Sequence, residues 1–380
     1  MNHELHSQAD HALAQGNPFK AIALLKQASA EDDQDFAAWM KLATLQRAAS
    51  PGLALDAVNA ALQARPNDFL ALLLKGSLHE HRYESGRAAE VYQAALFHAA
   101  DVGQLPPPVA QQLDHARQFL RHYRADVAAR MPALAGLDAE HAARAQRLID
   151  NVVGRRTVYH QQPTHYRYPG LPDIEYFDFA YATLKQRLRE AYSSIRQEFE
   201  ALHAIHAERQ TPYVVFAPGQ PMGQWAALNR SPDWNAFHLI RYGEPDPVNA
   251  AACPQTVAAF AGPDQPDVAG ITPNLMFSLL APQTRIPAHH GVANFRVLVH
   301  LPIIVPGQCH FRVGADMRPW VEGEPWIFDD TIEHEAWNDS DQLRIILIGD
   351  LWRPELDAAD RAIVRDLIGA LDAGPEIGAL

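Results

Sequence analysis

His289 and His334 are the residues of this chain best placed to do chemistry, because both stand in segments that suit a buried metal site. Two neutral imidazoles can share one ion. Imidazole suits iron, zinc, copper and nickel alike, so ligand type alone leaves the metal open. Beyond His334, Arg344 opens the apolar run Ile345-Ile346-Leu347-Ile348. A strand that is apolar on both faces is a buried one, and an arginine there must meet an anion, since an unpaired buried charge is strongly destabilising. The guanidinium fork donates two parallel hydrogen bonds, which makes a carboxylate its natural partner. Arg296, His300 and Arg312 are the other positive groups near this region.

The elements that must position these groups read as β structure. Strands are expected at 213–216, 236–240, 275–280, 295–301, 310–313, 325–328 and 343–351, separated by Pro/Gly turns. In the run from Asn294 to His300, side chains alternate. Asn294, Arg296, Leu298 and His300 share one face, and Phe295, Val297 and Val299 share the other. The polar set would then be aimed at a barrel mouth. Glu333 and Glu335 flank His334 and, as strand neighbours, point away from its face. Asp330 is the better candidate to orient an imidazole N–H from behind. Asn338 stands where a zinc-protease helix would need a second histidine, so His334-Glu335 is not that motif.

The stretch FSLLAPQTRIPAHHGVANFRVLVHLPIIVP, followed by WIFDDTIEHEAWNDSDQLRIILIGDLWRP, closely resembles the aspartyl/asparaginyl β-hydroxylases. The resemblance is densest from Trp234 to Pro354 and carries H-x-G, N-x-R, FDD-x-x-EHE-x-W and a spaced arginine in order. It implies a double-stranded β-helix (jelly-roll, cupin-like) and an Fe(II)/2-oxoglutarate-dependent dioxygenase that uses O2. It implies His289 and His334 as the two metal ligands, with Gly291 in place of a ligating carboxylate. Arg344 and Ser278 would receive the far carboxylate of 2-oxoglutarate, with His300 and Arg296 as further contacts. The H-x-G frame selects His289 over the adjacent His290. One departure stands out: where the animal enzymes read R-x-R-x-H, this chain has Arg296-Val297-Leu298-Val299-His300, so Leu298 replaces the second arginine.

With 380 residues, two domains are the natural expectation. Alanines and leucines recur about 34 residues apart in the first third, as in Ala23/Ala57, Ala54/Ala88 and Ala61/Ala95. That is the tetratricopeptide period, in which small residues let paired helices approach closely. The fold class expected is therefore α+β: a helical repeat domain over 1–125, bridging helices over 126–157 and the β domain over 158–365. The composition, 48 % hydrophobic and 20 % charged, is that of a soluble protein, and a formal net charge of −13 argues against nucleic-acid binding. Two cysteines exclude a disulfide framework. No apolar run approaches a membrane span, and the opening residues lack a basic, then apolar, leader; a cytoplasmic protein is expected.

The function expected is hydroxylation of an Asp/Asn-type side chain in a peptide, or of a small molecule, with 2-oxoglutarate converted to succinate and CO2. The repeats would bind a protein partner or substrate. Two other classes compete: a non-catalytic repeat adaptor with a degenerate barrel, and a cupin-like metal hydrolase or isomerase. The intact set of His289, His334, Ser278 and Arg344 speaks against the first. Arg344, which has no evident role in hydrolysis, speaks against the second.

Overall fold

The computed structural model describes residues 2–100, 103, 105–131 and 135–371, and the chain divides into two compact units, Met1–Arg155 and Arg156–Leu380. The first unit is helical: α1 (Asn2–Ala14), α2 (Pro18–Glu31), α3 (Phe36–Gln46), α4 (Pro51–Ala64), α5 (Phe69–His81), α6 (Ser85–His98), α7 (Pro107–Ala129) and α8 (Ala139–Val152). α1/α2, α3/α4 and α5/α6 pair as hairpins, with α7 against α6. Asp35 and Asp68 cap α3 and α5 by accepting the Ala38 and Ala71 N–H, and Pro18 and Pro51 occupy first-turn positions where no N–H is missed. Most of the repeating alanines are buried, with Ala54, Ala61, Ala88 and Ala95 fully so, whereas Ala23 is exposed. Gly76 shows why small residues recur, because a Cβ there would stand 2.5 Å from the Tyr92 ring.

The second unit contains α9 (Ala182–His206), β1 (Thr211–Pro212), β2 (Trp234–Arg241), β3 (Glu244–Pro245), α10 (Asn249–Ala252), α11 (Pro254–Phe260) and β4 (Leu275–Leu280). Then follow β5 (Thr284–His289), β6 (Arg296–Ile304), β7 (Cys309–Val313), β8 (Asp316–Arg318), β9 (Trp326–Phe328), β10 (His334–Asn338), β11 (Arg344–Trp352) and α12 (Ala358–Gly369). They form two antiparallel sheets, one in the order β1-β2-β4-β11-β6-β9 with β3 on β2, the other β5-β10-β7-β8. Strand alternation separates two cores. Phe237, Phe277, Val297, Val299 and Leu347 pack with Leu188, Ile195 and Phe199 of α9. Ala236, Met276, Ile346 and Ile348 turn the other way, onto Ile286, Phe311, Val313 and Ala336 of the smaller sheet.

The alternation expected along β6 is present: Val297 and Val299 lie under α9, while Leu298 and His300 line the cavity between the sheets. Asn294 precedes the strand, and its amide links Gln161 and Tyr168. The strand expected at 213–216 is not formed. Only Thr211–Pro212 pairs with β2. The Tyr213 N–H still donates to the Trp234 carbonyl of β2, but beyond it the Val214 carbonyl accepts the Arg230 N–H and the Phe216 N–H goes to the Asn229 side chain, so from Val214 on the segment bonds to its own loop. Both cysteines are buried free thiols.

Candidate active site

His289 ends β5 and His334 begins β10, and the antiparallel register sets the two opposite one another. Directly opposed residues share a sheet face. Their ring centroids lie 3.9 Å apart. Each imidazole is fixed through Nδ1 by a backbone carbonyl, that of Pro287 at 2.7 Å for His289 and that of Ile332 at 3.1 Å for His334. A carbonyl can only accept, so Nδ1 carries the proton and Nε2 keeps its lone pair. Burial pulls the His289 pKa down to about 4 and that of His334 well below its ordinary value. Both rings are therefore neutral and ready to ligate.

These carbonyls take the task expected of Asp330. That carboxylate is fully buried, yet neither oxygen has a hydrogen-bond partner. It stands 3.2 Å from Arg296 Nη1, and desolvation, only partly offset by this arginine, pushes its pKa up to about 7. Its carboxyl also fills the space beside Gly291, where a Cβ would come within 2.0 Å of Asp330 Oδ2. The chain thus leaves no room for a third, carboxylate ligand at that position. Gly291→Ala is expected to destabilise the fold by about 1–3 kcal/mol through overpacking. Urea unfolding measures this, and an unchanged midpoint would mean that Asp330 moves aside freely.

Ser278 of β4 and Arg344 of β11 line the same cavity as the histidines, with Tyr213, Trp234, Leu298, His300, Trp320 and Phe328 among the other walls. The Trp234 indole donates to Ser278 Oγ at 3.0 Å, which leaves the serine hydroxyl proton free to donate. Arg344 is 2 % exposed, and its Nε and Nη2 have no partner. Burial pulls its pKa down to about 10. His300 likewise holds an unpartnered, buried Nδ1 and is kept neutral by burial and by Arg344. Buried polar groups without a partner are rare in folded proteins, and a cavity that holds an unpartnered guanidinium beside an unpartnered imidazole nitrogen is built for a polar ligand.

Two of the expected positive groups are engaged elsewhere. Arg296, expected as a cosubstrate contact, lies between Asp330 and Asp350, at 3.2 and 3.4 Å. These are ion pairs at a distance, since Nη1 makes a hydrogen bond to neither carboxylate. Arg312 is held by Glu333 and Glu335 at 2.7 and 2.6 Å, which also turns both glutamates away from the histidines as the alternation requires. His290 is half-buried with an unpartnered Nε2 and is not among the cavity walls. Among the described residues no group of three or more His, Cys, Asp or Glu is arranged to hold a metal.

Sequence reasoning missed the aromatic part of the site. Trp225 meets His289 edge-on at 4.9 Å, and Gln224 donates to the Ala288 carbonyl at 2.7 Å. Trp234 stacks on Tyr213 at 3.9 Å. The period-two reading of β2, which sets Trp234 and Ala236 on one face, could have found Trp234; nothing in the sequence marks Trp225, which closes a single 3-10 turn, Gly223–Trp225.

Residues 189–354 match the family model described as aspartyl/asparaginyl beta-hydroxylase. Over those residues the C-terminal unit is similar to the aspartyl/asparaginyl β-hydroxylase domain. Among curated relatives of this hydroxylase domain, the chain is 29 % identical over 205 residues to aspartate beta-hydroxylase domain-containing protein 2 of Xenopus tropicalis, covering 53 % of each. It is 30 % identical over 191 residues to the ornithine lipid ester-linked acyl 2-hydroxylase of Rhizobium tropici, covering 50 % of this chain and 64 % of that one. It is 32 % identical over 136 residues to human aspartyl/asparaginyl beta-hydroxylase, covering 35 % and 18 %. The chain thus spans about half the length of the relatives matched first. A tetratricopeptide domain of Aspergillus fumigatus Sgt2 is similar at 21 % identity and a TM-score of 0.29, covering 38 % of this chain and 93 % of that one.

Proposed function

We propose that this protein is an Fe(II)/2-oxoglutarate-dependent hydroxylase whose two sheets form a double-stranded β-helix. The observation that carries the reading is the buried, unpartnered Arg344 fork in the same cavity as two neutral histidines. A zinc hydrolase has no use for that arginine, and an adaptor with a retired barrel has no reason to keep a buried charge uncompensated. His289 and His334 would hold the iron through Nε2. Arg344, with the Ser278 hydroxyl, would take the far carboxylate of 2-oxoglutarate, and His300 would lie toward the other end. Bound there, Fe(II) would supply the O2 chemistry that couples hydroxylation of the substrate to decarboxylation of 2-oxoglutarate. One oxygen atom enters the product and the other enters succinate, with CO2 released.

The chain's own contribution is orientation and exclusion of water. The backbone carbonyls of Pro287 and Ile332 set both imidazoles, and Phe311, Phe328, Ile286 and Leu298 make the cavity apolar around the donors. A low-dielectric surround strengthens each contact to a carboxylate. The substrate would be an Asp/Asn-type side chain in a peptide, or a small molecule. The helical repeats would recruit a protein or peptide partner, since stacked hairpins leave one face free. Among the described residues no helix is long and apolar enough to cross a membrane.

A succinate-release assay on the full chain with Fe(II), ascorbate and O2 tests the proposal. Metal- and O2-dependent conversion of 2-oxoglutarate to succinate is expected even without substrate, slowly. No turnover with correctly loaded metal would count against it. In the same assay Ser278→Ala should weaken 2-oxoglutarate by about 1–2 kcal/mol, the cost of one hydrogen bond among several. An unaffected Michaelis constant would take Ser278 out of the cosubstrate site.

A further inference from the structure

We infer that Trp320 is a cosubstrate-binding residue: its indole N–H donates to a carboxylate of the molecule that Arg344 anchors. The inference rests on the 2-oxoglutarate reading and adds a residue to it. Trp320 lies in the connection between β8 and β9, is 7 % exposed, and is one of the cavity walls. Its Nε1 is buried and has no partner. Indole nitrogen is a donor only, and a buried one ordinarily finds an acceptor. Trp234, on another wall, does so by donating to Ser278.

The neighbours of Trp320 say what kind of acceptor is missing. The Arg344 guanidinium lies 5.0 Å from the centroid of its ring, and the His300 ring lies 6.2 Å away. Trp320 therefore touches the two other cavity residues whose buried nitrogens are orphaned. Two sets of unpartnered donors, Trp320 Nε1 and the Arg344 fork, share this cavity with the unpartnered His300 Nδ1, and the one carboxylate on its walls, Asp330, bonds to none of them, which points to an anionic ligand with several oxygens. Leu298, Phe311 and Phe328 complete this part of the wall and donate nothing. The ring is also held rigidly, against Phe311 at 5.2 Å and edge-on to Trp326 at 6.1 Å, so its N–H would be set in place before the ligand arrives. Preorganisation of this kind lowers the ordering cost of binding. Trp326 provides the control: its Nε1 is also buried and unpartnered, but it is not a cavity wall.

The test is direct binding of 2-oxoglutarate to full-length protein loaded with redox-inert Zn(II), followed by calorimetric titration. Trp320→Phe, which keeps a ring and removes the N–H, should bind about tenfold or more weakly, as expected for loss of a hydrogen bond to a charged acceptor. Zn(II) affinity should be unchanged, and Trp326→Phe should bind like the unaltered protein. In unaltered protein labelled with ¹⁵N-tryptophan, the Trp320 indole proton should move downfield when 2-oxoglutarate is added, a readout that needs no variant to fold. Equal affinity in Trp320→Phe, or an indole resonance that does not move, overturns the role of Trp320 while leaving the cosubstrate reading in place. Absence of any 2-oxoglutarate binding to the unaltered, metal-loaded protein overturns both.

Discussion

His289→Ala and His334→Ala are each expected to abolish metal-dependent succinate formation, the largest effect of any single change in this chain. On the proposed two-histidine site, removing either leaves one imidazole, and the carboxylate on the cavity wall, Asp330, is committed beside Gly291 and Arg296. His289 is half-buried at a strand end, so its truncation should leave the fold intact. His334 sits beside Phe311 and Phe328, with centroids 6.0 and 5.6 Å away, and its truncation leaves a small void there. Circular dichroism with metal titration separates loss of ligation from loss of fold. His290→Ala is the control and should retain turnover; the reverse pattern would put the metal on His290. Because burial lowers the His289 pKa to about 4, protons compete with metal only near that pH, not near the ordinary histidine range. Metal affinity should accordingly stay nearly level as pH falls from about 8 to about 5.

Arg344→Met should raise the Michaelis constant for 2-oxoglutarate by about 10²-fold or more, since losing a buried charge pair typically costs about 2–5 kcal/mol. The same change should leave metal affinity almost untouched. It should also make the ligand-free protein more stable, because an uncompensated buried guanidinium is replaced by an apolar side chain of similar length. Denaturant unfolding in the absence and presence of 2-oxoglutarate reads both effects. A structural arginine would show the opposite sign: a less stable free protein and unchanged cosubstrate affinity.

Much of the site was legible because strand chemistry is periodic. The alternation along β6 placed His300 inward and Val297 and Val299 under α9, and the apolar run after Arg344 marked a strand buried on both faces. The helix pairs follow the alanine spacing because only small residues allow an approach like that of Gly76 to Tyr92. What escaped depends on contacts between segments remote in sequence. The cross-strand register of His289 with His334 cannot be read from either segment alone. Arg296 looked free until Asp330 and Asp350 were brought beside it by the loop before β10 and by β11. Trp225 and Trp320 lie in connecting segments, where no period exists to say which way a side chain turns. The short strand expected over 213–216 is not formed because, from Val214 on, Asn229 and Arg230 take its backbone groups.

The account stands most directly on one measurement: calorimetric binding of 2-oxoglutarate to the full chain with and without a redox-inert divalent ion, alongside pyruvate as a 2-oxo acid that lacks the far carboxylate. If two histidines and the Arg344 fork act on one ligand, 2-oxoglutarate binds tightly only with metal present, and pyruvate binds about 10²-fold more weakly. Metal-independent binding, or equal affinity for the two acids, would contradict it.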